Sequence, residues 1–420
     1  MVTSEGRRNR NCASMTSDRD ILIRALEPAL RAWEQWRGNG TLLVQDPSDE
    51  ILAPLAAAID RCDAYKAVSG HVLFTANSGA VLHAPSLALP LLYRAEWAQR
   101  EGRDIGKAAD WLIRILNTRQ ANGTLKAAIW GLSVDREAPL AKYSRLMPFG
   151  QLPDSRLKKR ISDRAGELWN GAVWISQSYF DLPGAAIVRK VADFPYIRAD
   201  NASFKTMADL ETEAYATLVL LQGRATGQPL TLGYWFEYDD EDLDLNSHEN
   251  YMSWILPEIV PSIPANVAVD AATVQQELKA LSAMPEDWRN DLRRSMERFT
   301  LSQCRHQVID RILDLTLAFE IAVSGKGEQA PQSWKVSVRS AQMIGGPLRD
   351  RQKNRRKMVA LYNLRNQGTH GSSLSSMDQQ KQDNVLTEAG ALYRKLLDSF
   401  WRHGARPDWN AIELGPITAE

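Results

Sequence analysis

The pattern of apolar and polar positions changes character twice along the chain. Near the start, apolar residues recur at helical spacing from Asp18 to about Trp36, with Pro28 inside the pattern. Three more helices are predicted over 48–65, 86–100 and 104–119.

From about Asn122 the pattern becomes one of short apolar runs with strand-forming residues. We predict that KAAIWGLSV pairs with LAKYSRLMPF across the turn-like DREAP, and that AVWISQSYF pairs with GAAIVRKVADF. Helices are predicted over 154–170 and 207–222, and LTLGYWFEY adds a further strand. This part of the chain therefore mixes helices with strands.

The second change follows a proline-rich stretch. Three prolines fall between Pro257 and Pro264, which predicts a hinge. Beyond it, helical spacing continues over 270–284, 285–302, 307–324, 333–344, 350–365 and 378–402. Long helices joined by short loops are typical of a bundle.

These patterns predict an α+β protein in which a mixed α/β domain precedes an all-α helical bundle. The predicted divisions are a flexible tail over 1–17, the mixed α/β domain over 18–265, the bundle over 266–403 and a second tail over 404–420.

Composition and charge narrow the classes of function. The 420 residues include 51 basic and 51 acidic side chains, so nucleic-acid binding would have to come from local basic patches. The three cysteines are far apart and form no CxxC pair, which excludes a disulfide framework or a cysteine zinc site and fits a reducing compartment. No secretory signal and no apolar run long enough for a membrane span are present, so we expect a cytoplasmic protein.

One segment, RDRQKNRRKMVALYNLRNQGTHG at 349–371, combines unusual features. Met358, Leu361, Tyr362 and Arg365 follow the i, i+3, i+4, i+7 spacing, so Arg365 is predicted on the apolar face of its helix. A lone buried charge is costly, so this arginine must have a partner or face a cleft.

The end of that helix is predicted to gather three polar groups. Gly368 is expected to end the helix, and His370 follows five positions after Arg365. The Arg365 guanidinium, the Asn366 amide and the His370 imidazole would then lie together.

These three groups could cleave RNA without a metal ion or cofactor. His370 could act as general base or acid, Arg365 could stabilise the phosphorane charge, and Asn366 could orient either group. A basic run before them could hold the RNA backbone; it comprises Arg349, Arg351, Lys353, Arg355, Arg356 and Lys357. The alternative is structural: Arg365 would be a helix-terminal charge, His370 a solvated loop residue, and the basic run a solvated helix face.

The segment RNQGTH (365–370) resembles the R-x4–6-H signature of the HEPN superfamily. Two preceding blocks, ILDLTLAFEIAVSG (312–325) and WKVSVRSAQMI (334–344), are similar to helices of ApeA-like HEPN domains, and KMVALYNLRNQGTHG (357–371) is similar to the family's lYxxRxxxxHG stretch. The resemblance covers about 110–120 residues.

This resemblance implies roles for individual residues. Arg365 and His370 would be catalytic, Asn366 would take the polar position, and Glu320 and Tyr362 would support them. Arg339, the single arginine of its helix, could pair with Glu320 across helices, which is equally well interpreted as a structural ion pair.

The resemblance also implies a fold and an activity. It implies a four-helix-like HEPN bundle that forms a homodimer, metal-independent endoribonuclease activity and a role in antiphage defence by abortive infection, with tRNA among the implied targets. Residues 18–265 would be a sensor or specificity domain that responds to a phage-derived trigger. Ser372 stands where a toxin branch of the superfamily has tyrosine, which argues against that branch. The alternative is a non-catalytic HEPN module for RNA or protein binding or for dimerisation.

An acidic run at 237–251, EYDDEDLDLNSHENY, provides a third hypothesis. Its carboxylates and His248 could hold a divalent cation in a metal-dependent hydrolase, but its spacing fits no EF-hand. A solvated loop, or a loop that masks the basic run, is the alternative. Four tryptophans are predicted to lie in cores: Trp235, Trp254, Trp288 and Trp334.

Overall fold

The computed structural model describes residues 17–38, 47–75, 78–140, 143–163, 168–170, 173–175, 182–226, 230–245, 253–255, 266–325, 333–369 and 379–414. The helices are α1 (Asp18–Gly38), α2 (Asp49–Arg61), α3 (Asp63–Lys66), α4 (Ala84–Arg100), α5 (Gly106–Asn117), α6 (Arg156–Asp163), α7 (Ala202–Leu220), α8 (Ala271–Ala283), α9 (Glu286–Cys304), α10 (Val308–Val323), α11 (Ser333–Ile344), α12 (Leu348–Thr369), α13 (Gln379–His403) and α14 (Trp409–Leu414).

The strands are β1 (Val72–Thr75), β2 (Ser78–Val81), β3 (Gln120–Trp130), β4 (Leu132–Val134), β5 (Ala138–Pro139), β6 (Ser144–Pro148), β7 (Leu168–Asn170), β8 (Val173–Ile175), β9 (Ala185–Pro195), β10 (Ile197–Arg198), β11 (Thr231–Tyr238), β12 (Ser253–Ile255) and β13 (Val267–Val269). Sheets in the N-terminal part and helices in the C-terminal part confirm the α+β class.

The chain forms two compact units that are not the predicted domains. The first combines Met1–Gly123, Ala192–Ala208 and Glu237–Asn250; the second combines Thr124–Val191, Asp209–Phe236 and Tyr251–Glu420. Residues of the region 18–265 therefore belong to both units, and the chain crosses between them inside regular elements rather than only at a linker. The hinge predicted at Pro257–Pro264 lies outside the described residues.

The smaller unit contains α1 to α5 and the three-stranded sheet β10-β1-β2. Pro28 lies inside α1 without ending it. The single helix predicted over 48–65 is in fact two helices, because Cys62 adopts an extended conformation between α2 and α3. The Asp18 carboxylate accepts the Asp63 and Ala64 N–H groups, each at 2.9 Å, so a residue distant in sequence caps the new helix.

The larger unit holds most of a six-stranded sheet with the order β12-β11-β3-β9-β6-β5. The predicted pairing of KAAIWGLSV with LAKYSRLMPF is wrong, since β9 lies between β3 and β6. Gly131, with a φ of 87°, turns the chain after β3, and β4 then pairs in parallel with β13 outside this sheet. DREAP (135–139) therefore leads from one sheet to the other, and its last two residues form β5, which pairs with β6 in an antiparallel hairpin.

A second correction concerns residues 154–170. The helix predicted there ends at Asp163, and Leu168–Asn170 forms the strand β7, antiparallel to β8. Tryptophan, valine and isoleucine favour strands, so this hairpin prevails over the helical spacing. In the described part of AVWISQSYF, β8 therefore pairs with β7 rather than with GAAIVRKVADF.

The helices α9 to α13 form the bundle and share one apolar core. Their bounds confirm the predicted helices within a few residues, but Gly368 lies inside α12 and does not end it. α12 ends at Thr369, one residue after Gly368, so the helix ends within one residue of the predicted position. No helix in the described part of the chain is both long and apolar enough to cross a membrane.

Of the four tryptophans predicted to lie in cores, two are buried and one is exposed. Trp235 and Trp288 are buried, whereas Trp334 at the start of α11 is 48% exposed, so its predicted place in a core is wrong. Trp334 is the second residue of α11, and the buried residues of that helix begin at Val336. The Trp254 side chain lies outside the described residues.

Candidate functional site

Arg365 and Glu320 form an ion pair between α12 and α10. The distance from Arg365 Nη1 to Glu320 Oε1 is 3.2 Å, and the two side chains are 35% and 11% exposed. Met358 and Leu361, on the same face of α12, are fully buried. The prediction that Arg365 lies on the apolar face and needs a partner is confirmed.

Tyr362 completes this arrangement one turn before Arg365. Its hydroxyl donates to Glu320 Oε1 at 3.0 Å, and the Arg365 guanidinium carbon lies 5.8 Å from the centre of its ring. Burial, and next the negative charge of Glu320, raise the pKa of the Tyr362 hydroxyl. The phenol therefore remains a neutral donor that holds Glu320, while Glu320 holds Arg365.

Arg339 has partners other than the predicted Glu320. Its Nε donates to Glu413 at 2.6 Å, and its Nη1 donates to the carbonyl oxygen of Val323, at the end of α10, at 2.8 Å. Trp409 stacks near the same guanidinium at 5.4 Å. Arg339 therefore caps the C-terminus of α10, one turn beyond Glu320.

The partner of Arg339, Glu413, belongs to a helix that lies in the segment 404–420, which the sequence analysis predicted to be a tail. Residues 409–414 form α14, and Trp409 is buried and donates its indole N–H to the Ser324 carbonyl oxygen at 3.2 Å. Asp408 accepts the N–H groups of Asn410 and Ala411. An aspartate directly before an apolar residue is a helix-start signal, so this helix was detectable from the sequence.

Of the other two members of the predicted catalytic trio, the structure describes Asn366 but not His370. Asn366 is exposed next to Arg365 on α12. His370 lies outside the described residues, so its position relative to Arg365 stays a prediction. The arrangement around Arg365 provides a positioned, half-exposed guanidinium, which suits the binding of a phosphate oxygen.

The basic run divides into paired and unpaired members. Arg351 donates to Gln342 at 2.5 Å, and the Lys357 ammonium lies 3.7 Å from Glu388. The other four are exposed and make no ion pair with any described residue: Arg349, Lys353, Arg355 and Arg356.

The acidic run does not form a free loop where it is described. Arg114 pairs with Asp240 at 2.7 Å and with Asp242 at 2.9 Å, and Arg94 also contacts Asp242. Residues 241–243 form a short 3-10 helix. His248 lies outside the described residues, and among those described no three histidine, cysteine or acidic side chains are arranged to hold a metal ion.

Comparison with models of known protein families, with curated proteins and with solved structures finds no match for this chain.

Proposed function

We propose that the chain is a metal-independent HEPN endoribonuclease, an antiphage abortive-infection effector whose targets include tRNA. The observation that carries the proposal is the half-exposed Arg365, held on α12 by the nearly buried Glu320. A guanidinium in such a position can bind two oxygens of a phosphate and stabilise charge that develops on it. The HEPN resemblance of residues 312–371 supplies the choice of RNA as substrate.

In the proposed reaction, the ribose 2′-oxygen attacks the adjacent phosphorus and the bond to the leaving 5′-oxygen breaks. One proton leaves the 2′-hydroxyl and one is delivered to the 5′-oxygen, so the products are a 2′,3′-cyclic phosphate and a 5′-hydroxyl. His370 carries one of these protons, and Arg365 neutralises the phosphorane. Asn366 orients one of the two, and a homodimer would bring two such centres together.

The second candidate is a non-catalytic HEPN module that binds RNA or a protein, or that dimerises. It is favoured by the Arg365–Glu320 pair itself, because an ion pair between helices can serve stability alone. A catalytic role for both Arg365 and His370 distinguishes the two candidates.

The test is cleavage of total cellular RNA by the purified full-length protein in EDTA. We expect cleavage by the wild-type protein and a loss of at least about 100-fold in Arg365→Ala and in His370→Ala. Cleavage that survives both substitutions would place the centre elsewhere, and cleavage that requires a divalent cation would support the metal-dependent alternative.

A further inference from the structure

The exposed side of α12 has an unusual composition. Between Arg349 and Gln367, the exposed residues are four cations, four amides, one valine and, in the first turn, Asp350. Apart from Asp350 they define what we call the outer face of α12, which comprises Arg349, Gln352, Lys353, Arg355, Arg356, Val359, Asn363, Asn366 and Gln367.

These residues share one side of the helix. At 3.6 residues per turn they fall within an arc of about 160°, and Asp350 lies outside it. The outer face therefore contains no carboxylate, in a chain with equal numbers of acidic and basic residues. The cations occupy the N-terminal part and most of the amides the C-terminal part, over about 27 Å of helix.

We propose that the outer face of α12 binds a single strand of RNA, with its cations on the phosphates and its amides on bases and ribose hydroxyls. The choice of RNA as the polymer rests on the proposed function. Unpaired lysines and arginines attract a phosphate backbone without regard to sequence. Asparagine and glutamine both donate and accept, which suits base edges and 2′-hydroxyls.

An anionic membrane is a poorer fit for the same charges. A helix that lies on a membrane buries a wide apolar stripe beside its cations. The outer face offers Val359 alone as an apolar residue, and the apolar side of α12 is packed into the bundle core.

Arg365 lies outside the outer face, on the packed side of α12. The four cations of the face therefore hold the strand beside the proposed centre and not the phosphate that is cut; Asn366 is the one residue of the face that we also assign to that centre. Loss of its cations should raise KM and leave kcat nearly unchanged.

The experiment measures binding by the full-length His370→Ala protein, in which RNA is not consumed. The probe is a fluorescein-labelled single-stranded RNA of about 20 nucleotides, followed by anisotropy across a salt series. The test variant is Lys353→Gln/Arg355→Gln/Arg356→Gln. The matched control is Lys279→Gln/Arg294→Gln/Lys395→Gln, which removes the same charge from exposed positions elsewhere in the larger unit.

We expect the test variant to bind at least about 10-fold more weakly and its salt slope to fall by about 2, since each lost phosphate contact removes about 0.7. The control should change affinity by less than about 2-fold. Equal affinities for the test variant and the parent, equal losses in both triple variants, or binding to anionic vesicles without binding to RNA would each overturn the proposal.

Cleavage by the active protein separates this proposal from the proposed function. If the protein cleaves RNA but its affinity for RNA does not depend on the cations of the outer face, only the binding proposal is refuted. A protein that binds RNA through the face and never cuts it would refute only the nuclease.

Discussion

At the scale of single residues, one oxygen atom of the Glu320 carboxylate accepts hydrogen bonds from two side chains. Tyr362 and Arg365 both contact Glu320 Oε1, at 3.0 Å and 3.2 Å. A long arginine side chain has considerable rotamer freedom, so an anion beside it selects one orientation. We therefore assign Glu320 a positioning role for Arg365.

Glu320→Gln keeps the size of the side chain and removes the charge that orients Arg365. We expect kcat for RNA cleavage to fall by about 10- to 100-fold, with little change in KM, because a misplaced catalytic group costs rate. Tyr362→Phe is the control: it retains the ion pair and should lower kcat by less than about 5-fold while costing about 1 kcal/mol of stability. Equal kcat values for wild type and Glu320→Gln would refute the positioning role.

Cys62 provides a prediction on pH and stability. Burial raises the pKa of its thiol to about 11, above a usual value near 9. The folded state therefore keeps the proton more tightly, and the resulting stabilisation is complete below pH 9 and is lost as the pH rises to 11. The difference in Tm between the wild type and Cys62→Ala should shrink over that range. A difference independent of pH would contradict the assignment.

At the scale of elements, α11 and α14 both contact the C-terminal end of α10 and stabilise its position. Arg339, whose side chain is 3% exposed, links Glu413 of α14 to the Val323 carbonyl oxygen. Removing one member of a buried ion pair leaves the other charge uncompensated.

Arg339→Met should therefore lower the free energy of unfolding by about 3 kcal/mol, measured by urea denaturation. The double variant Arg339→Met/Glu413→Gln should be less destabilised than the sum of the two single variants, because the pair is lost only once. Strict additivity of the two changes would show that the contact contributes nothing.

Gly184 is required where β9 begins. A Cβ atom at this position would lie 2.3 Å from the Leu132 carbonyl oxygen and 2.9 Å from Asn266 Cγ. Gly184→Ala should destabilise the fold by about 2–3 kcal/mol, because backbone cannot move aside cheaply. Gly150→Ala, where nothing lies within 4 Å, should change stability by less than about 0.5 kcal/mol. Similar urea midpoints for both variants would contradict this.

At this scale, local sequence patterns predict some elements correctly and cannot predict how others pair. Helical spacing predicts α9 to α13 well, because each helix has its own apolar face. Strand order could not be predicted, because the insertion of β9 between β3 and β6 depends on contacts distant in sequence. The same reason explains the Asp18 cap of α3 and the pairing of Glu320 with Arg365 rather than Arg339.

At the scale of the whole molecule, the two compact units cross the predicted domain boundary. A sequence-based division follows composition along the chain, whereas compactness follows contacts between distant segments. The larger unit contains the Arg365 site and the outer face of α12, both on one helix. The proposed homodimer and the proposed response to a phage-derived trigger belong to this scale.

The central claim is that Arg365 serves a metal-free transesterification of RNA. It is tested most directly by the chemistry of the product ends, after digestion of RNA in EDTA by the wild type and by Arg365→Ala. We expect 2′,3′-cyclic phosphate and 5′-hydroxyl ends from the wild type, and a loss of both in Arg365→Ala. Products with 3′-hydroxyl ends, or cyclic phosphate ends formed equally well by Arg365→Ala, would contradict it.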